Sequence, residues 1–176
     1  MPHIFKAFLT CTLLLSSIFS CASLDEVNSE EETATTDTPT WYNTANFSSD
    51  SLAFHGYAQA ISSDSIIAVA NARIQAKAHL EVSLSEIIED YRAQAEENGE
   101  NTVTDPDFII TLRNASQSVQ EQAASTQGAA INKGEHFLGF AQVTISKDEF
   151  RDLIQSHLRG TSGYWESIKN APVFSE

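Results

Sequence analysis

The segment from Ser63 to about Glu97 constrains this chain more than any other. Val69, Ala72, Ala76, Leu80, Leu84, Ile87 and Tyr91 recur every three or four residues, which is the spacing of one face of an α-helix. Ile66, Ala70 and Ile74 are read as broadening that stripe near its start. Ser63 or Asp64 supplies an N-cap, and Gly99, behind the polar Glu96-Glu97-Asn98, supplies a C-cap. So long an apolar stripe needs a partner layer. The first half of the segment is rich in alanine, at Ala68, Ala70, Ala72, Ala76 and Ala78. A matching surface lies upstream, in Ser51 to Ala60. There Leu52, Phe54, Gly56, Ala58 and Ala60 alternate with Ala53, His55, Tyr57 and Gln59, the period of a strand. Small side chains on one face of that strand let a helix approach closely.

Past Gly99 the chain reads as a loop, Asn101 to Thr104, and then a second helix. Asp105-Pro106 has the order of an N-cap followed by proline at the first helical position. Phe108, Leu112, Ala115, Val119 and Ala123 form its stripe, and the polar run Ser116 to Ser125 predicts a loosely packed or frayed end. Ala129 to Asn132 and His136 to Ile145 read as a hairpin turning through Asn132-Lys133-Gly134-Glu135. Its second arm is the strongest strand signal in the chain. Ser146-Lys147-Asp148-Glu149 matches a capping box. It opens a short helix with Phe150, Ile154 and Leu158 on one face, widened by Leu153 and stopped by Gly160. Thr161 to Glu176 is a tail with Tyr164, Trp165, Ile168, Val173 and Phe174, suited to folding back or to binding a partner. The order β–α–α–β–β–α predicts an α+β fold, a small antiparallel three-stranded sheet packed against a long helix.

The N-terminal end has a different character. Met1 to Lys6 is a short, positively charged region, and Ala7 to Ser20 is an apolar run too short to span a bilayer comfortably. Residues 1–20 therefore read as a signal peptide. They end at Ile18-Phe19-Ser20-Cys21, which resembles the lipobox of bacterial lipoproteins. Ile18 stands where that motif has a branched aliphatic residue, Ser20 where it has a small one and Cys21 where it has the acylated cysteine; Phe19 departs from it. The resemblance implies that Cys21 is lipidated and begins the mature chain. A thiol is the nucleophile that takes a diacylglyceryl group, and cleavage frees an amine for a further acyl chain. Each buried CH₂ contributes about 0.8 kcal/mol and stable anchoring takes more than one chain. An ordinary signal cleaved at Ser20-Cys21-Ala22 would instead release a secreted protein, and an uncleaved anchor is the other alternative. Ala22 places no acid after the cysteine, so a lipidated chain in a diderm envelope is expected at the outer membrane. Residues 21–40 then form a tether, acidic from Ser23 to Glu32 and Thr-rich to Thr40, too poor in large apolar residues to offset chain entropy. A single domain is expected over 41–160, with Trp41 and Tyr42 at its edge.

A net charge of −14 argues against nucleic acid as a partner and against a polybasic grip on anionic lipid. Cys11 leaves with the signal and Cys21 is consumed by lipid, so the mature fold keeps no disulfide and no catalytic thiol. His55, His79, His136 and His157 form no His-x-x-x-His pair. His55 and His136 lie on expected strands and could meet across the sheet, as an ordinary surface pair rather than a metal site. The chain has no Gly-x-Ser-x-Gly elbow and no phosphate-binding glycine loop. Glu86, Glu89 and Asp90 read as a wet helix face. No catalytic, cofactor-binding or metal-binding residue is expected, and the chain is not expected to be an enzyme. The alternative use of such a fold is as a carrier of a small apolar ligand, with Phe54, Tyr57, Phe137 and Phe140 as candidate lining residues.

The lipobox, the strand Gly56-Tyr57-Ala58-Gln59-Ala60, the helix with Ala68, Ala72, Ala76 and Leu80 spaced by four, and the strand Phe137 to Ile145 leading into a short helix together resemble the Lpp-twenty family of small bacterial lipoproteins. The likeness covers about Trp41 to Gly160 and rests on small and apolar residues, which specify packing. It implies a compact, dodecin-like fold with a helix laid across a sheet, and an outer-membrane lipoprotein with a structural or protein-interaction role. It further implies other envelope proteins as partners, flagellar basal components among them, and a possible homo-oligomer. The family supplies no catalytic residues.

Overall fold

The computed structural model describes residues 38–160 and 163–174. Cys21 and the segments expected as signal peptide and tether, up to residue 37, lie outside the described residues. The fold is α+β. Strands β1 (Phe47–Ser49) and β2 (Ala53–Ser62) precede the long helix α1 (Ser65–Glu97). A 3₁₀ turn (Asn101–Thr104), α2 (Pro106–Gln117) and α3 (Val119–Gln122) lead into β3 (Ala124–Asn132) and β4 (Phe137–Ser146). Helices α4 (Lys147–Leu158) and α5 (Tyr164–Ile168) and a 3₁₀ turn (Pro172–Phe174) follow.

The sheet is antiparallel with order β1-β2-β4-β3, so it has four strands where the sequence predicted three. The extra strand, β1, is three residues of Phe-Ser-Ser, too short and too polar for alternation to reveal. It is fixed by its turn: Asp50 Oδ1 accepts the N–H groups of Leu52 and Ala53 at 2.7 and 2.8 Å. Leu52, expected on the helix-facing side of the strand, sits in that turn and is exposed.

Helix α1 starts where Asp64 Oδ1 accepts from the N–H groups of Ile66 and Ile67. It ends in a Schellman arrangement, with Glu100 N–H bonded to Ala95 O, Gly99 N–H bonded to Glu96 O, and Gly99 at φ +90°. Its buried line is Ala68, Ala72, Ala76, Leu80, Leu84, Ile88 and Ala95. The alanine half lies on β2 and β4. Two glycines permit the contact. A Cβ at Gly56 would stand 2.3 Å from Ala76 O, and one at Gly139 would stand 2.3 Å from the Ala68 carbonyl carbon. Ile66, Ala70 and Ile74 do not broaden the buried stripe; all three are exposed. The helix rests so close to the sheet that only a narrow line of it is covered.

The leucine half of α1 meets larger residues. Phe108 and Leu112 of α2, Phe150, Ile154 and Leu158 of α4, and Tyr164, Ile168, Val173 and Phe174 share one core with Leu84 and Ile88. Residues 163–174 therefore fold back, and Tyr164 donates a hydrogen bond to Asp105 Oδ2 at 2.9 Å. Burial and then that hydrogen bond push the Tyr164 phenol above its usual range. The second stripe does not fray. Ala115, Val119 and Ala123 are buried across the break at Ser118. Ser116 and Ser118 bond back to the carbonyls of Leu112 and Asn114, which accommodates a bend rather than unwinding. From Ala124 the run expected to be a ragged helix end is strand, so β3 begins five residues before its expected start.

Candidate functional site

Among the described residues, α1, α2 and α4 lie on one face of the sheet. The register arranges the other face in rows: Ile61–Leu138–Ile131, then Gln59–Phe140–Ala129, then Tyr57–Gln142–Gln127, then His55–Thr144–Ala124. Tyr42 covers the middle, edge-on to Phe140 at 5.0 Å and to Tyr57 at 6.3 Å between ring centres. The polar end is a hydrogen-bonded network. Asp50 Oδ2 is 3.0 Å from His55 Nε2, and His55 Nδ1 is 3.0 Å from Thr144 Oγ1 and 3.2 Å from Gln142 Nε2. Thr126 Oγ1 adds β3, 3.1 Å from Thr144 Oγ1.

An ionised carboxylate only accepts, so His55 donates from Nε2 to Asp50, and in the neutral ring Nδ1 accepts from Thr144 and Gln142. The His55 bond first, and the Leu52 and Ala53 N–H groups next, lower the Asp50 carboxyl to about 2. A hydroxyl beside an imidazole oriented by a carboxylate is the arrangement that activates nucleophiles. Here the hydroxyl is itself bonded to Thr126. The network ties the β1–β2 turn to β4 and β3, and we assign it that joining role. Gln142 Oε1 is buried with no partner among the described residues.

His55 and His136 do not meet. His55 pairs with Thr144 near one end of β4, and His136 lies beyond Phe137 at the other. The four candidate lining residues for an apolar ligand are likewise divided. Phe54 faces the helices, stacked on Phe47 and edge-on to Phe150, whereas Tyr57 and Phe140 lie under Tyr42 on the opposite face. Phe137 is half-buried at the hairpin end of β4. Alternation along a strand prevents the four from lining one cavity. A cleft of about 220 Å³ occurs elsewhere, between α1 and α2, with Ile88, Ile109 and Leu112 as its floor and Arg92 and Arg113 at its rim. Arg92 donates to Val103 O and is held by Glu89 and Glu96, and the carboxylate bonds, that to Glu89 foremost, push its guanidinium further above its usual range. Among the described residues no three His, Cys, Asp or Glu side chains converge as metal ligands, and no helix is long and apolar enough to cross a membrane.

The sequence reading missed the outer edge of β3. Among the described residues only β4 pairs with this strand, so they leave one side of its backbone open from Ala124 to Asn132. None of these nine residues is ionisable or proline. Beside the edge runs the start of α1. Ser65, Ile66, Val69 and Arg73 with Gly128, Ala129 and Ala130 line an open groove of about 300 Å³. Ile66 and Ile74 are 78% and 66% exposed. Arg73 lies over Gly128, where a Cβ would stand 3.1 Å from its Nη2, and no carboxylate among the described residues pairs with it. The signal was present in the charge pattern. From Ser65 to Leu80 α1 carries Arg73 and Lys77 and no acid, whereas from Glu81 to Glu97 it carries six acids and one base.

Comparison with protein families, curated proteins and solved structures finds no match to this chain.

Proposed function

We propose that this chain is an outer-membrane lipoprotein of the cell envelope, anchored through lipid on Cys21, that works by binding other proteins rather than by catalysis. One observation carries the interaction role: β3 ends the sheet with an open, uncharged edge nine residues long. Edge strands are ordinarily blunted by charge, proline or a covering element, because an open backbone ladder recruits another strand. The bulge at Ser125/Gln127 interrupts only the first part of β3. The likeness to Lpp-twenty lipoproteins, and through them to dodecin-like folds, supports the same reading, with flagellar basal components and a second copy of the chain as the partners it suggests.

Metabolic labelling with a palmitate analogue, followed by membrane fractionation of the native chain and of Cys21→Ala, tests the anchor. Label and outer-membrane recovery are expected for the native chain and neither for the variant. A native chain that is unlabelled and released would leave the secreted reading. Motility unchanged after deletion of the gene would remove the flagellar partner. The carrier reading has one observation in its favour, the α1–α2 cleft, which is small and open. A small molecule retained in native mass spectrometry and lost in Leu112→Trp would favour it.

A further inference from the structure

We infer that the groove between β3 and the first half of α1 docks an extended, acidic segment of a partner protein, which adds to the sheet as a fifth strand. The inference rests on the interaction role above and names the chemistry of the partner. Three features of the groove point the same way. The β3 edge offers alternate unpaired N–H and C=O groups along its length, which only an extended backbone can satisfy in series. Arg73 lies over the middle of that edge with its charge unmatched by any described carboxylate, and Lys77, one turn on, donates to Gln120 O. Ile66 and Val69 supply an apolar wall beside Ala130.

The electrostatics select among extended segments. The chain has 24 acids and 10 bases, yet no acid occurs in Ser65 to Leu80 or in β3. The nearest acids in sequence are Asp64 and Glu81, which flank the helical stretch, and Glu121 and Glu135, each three residues outside β3; Asp64 is spent on the α1 N-cap and Glu81 accepts from Gln120 Nε2. An acidic strand therefore meets its counter-charge here and repulsion over most of the remaining surface. A second copy of β3 fits less well. It brings no carboxylate, and a two-fold pairing centred on Gly128 would set one Arg73 against another. In an added strand, side chains two apart share a face, so the segment that fits has an acid and an aliphatic residue at alternate positions.

The probe is a capped peptide, Thr-Glu-Thr-Val-Thr-Glu-Thr, whose palindromic order suits either strand direction. It is titrated into the full lipidated chain in detergent, with fluorescence anisotropy for affinity and hydrogen exchange for location. Saturable binding is expected, with slowed exchange confined to Ala124–Asn132. Arg73→Glu, an exposed change that leaves the core intact, is expected to weaken binding by about tenfold. The Lys counterpart of the peptide should then prefer the variant. Absence of saturable binding, equal binding to Arg73→Glu, or protection elsewhere on the chain would overturn the inference. So would concentration-dependent self-association that protects β3 and excludes the peptide, since the occupant would then be a second copy. The membrane anchor is tested separately by Cys21, so failure here leaves that reading standing.

Discussion

Gly139→Ala tests how the whole fold is held together. The added methyl would stand 2.3 Å from the Ala68 carbonyl carbon and 2.5 Å from both Ala68 O and Val69 N. Carbon atoms in contact prefer about 3.5–4.0 Å, so the helix must retreat by roughly 1.2 Å or more. All three obstructing atoms are backbone, so no rotamer change relieves them. A retreating α1 takes Ala72 and Ala76 with it, and alanines have no reach to keep contact with β2 and β4. A radial gap of about 0.5–1 Å forfeits a quarter to a half of each dispersion contact. The expected loss is about 3 kcal/mol, the upper end for one inserted methyl, or on the order of 10 °C in melting temperature for a domain of this size. Urea unfolding followed by circular dichroism measures it, with Gly134→Ala as the control. Gly134 faces open space at φ +87°, so only conformational strain of about 1–2 kcal/mol is expected there. Adding Ala68→Gly should not rescue Gly139→Ala, because the clash is with main-chain atoms. A Gly139→Ala protein within about 0.5 kcal/mol of the native one, or rescued by Ala68→Gly, would refute backbone-on-backbone packing.

Other substitutions probe separate parts of the argument. Leu80→Ala, at a fully buried position where the two halves of α1 meet, should cost about 2–5 kcal/mol by denaturant unfolding. Ser146→Ala removes the hydroxyl that caps α4 and accepts from Glu149 N–H. About 1 kcal/mol should be lost, and the Glu149 carboxyl, held low first by the Ser146 side chain and then by its N–H, should titrate higher by NMR. Asp50→Asn tests the open-face network through pH. The folded carboxyl sits at about 2 and the unfolded one at about 3.9, so its contribution is complete above about pH 4 and is lost as pH falls through the folded value. Melting temperature should fall between about pH 4 and pH 2 more steeply for the native chain than for Asp50→Asn; identical acid limbs would remove Asp50 from the network.

The elements legible in the sequence are those whose side chains carry a strong period. The alanine and leucine stripe of α1 gave its bounds, and Asp64 and Gly99 marked its ends, because capping chemistry is local. The capping box at Ser146 and the hairpin at Gly134 were readable for the same reason. What could not be read were the elements defined by their partners. β1 exists because Asp50 folds the chain back on β2, and the first five residues of β3, Ala124–Gly128, because β4 lies beside them; neither has an apolar rhythm of its own, whereas Ala129 to Asn132 was legible as a hairpin arm. The polar run Ser116 to Ser125 reads as a loosely packed or frayed end, since polar composition alone does not show that Val119 and Ala123 still point inward. The His55 network depends on the β2–β4 register, which joins residues 89 apart.

The exposure of Ile66 and Ile74 follows from the closeness of α1 to the sheet. A helix seated through glycine and alanine can be covered only along the line where the backbones nearly touch. Residues to either side need long side chains from the sheet to reach them, and on the helix face β3 offers Gly128 and Ala130. A larger residue at Ala130 would narrow the groove beside Ile66, whereas at Gly128 even a methyl meets Val69 and Arg73 at 3.0 and 3.1 Å. The groove is thus the consequence of small residues on its β3 wall, in a stretch where acids are also missing from a chain otherwise rich in them. Packing explains the small residues at Gly56 and Gly139, where a methyl group would strike the helix backbone. At Ala130, on the outer strand beside Gly139 but exposed, it supplies no such demand. Its small size is accounted for if something outside the chain lies against it, and an added acidic strand is the occupant that meets both the backbone edge and Arg73.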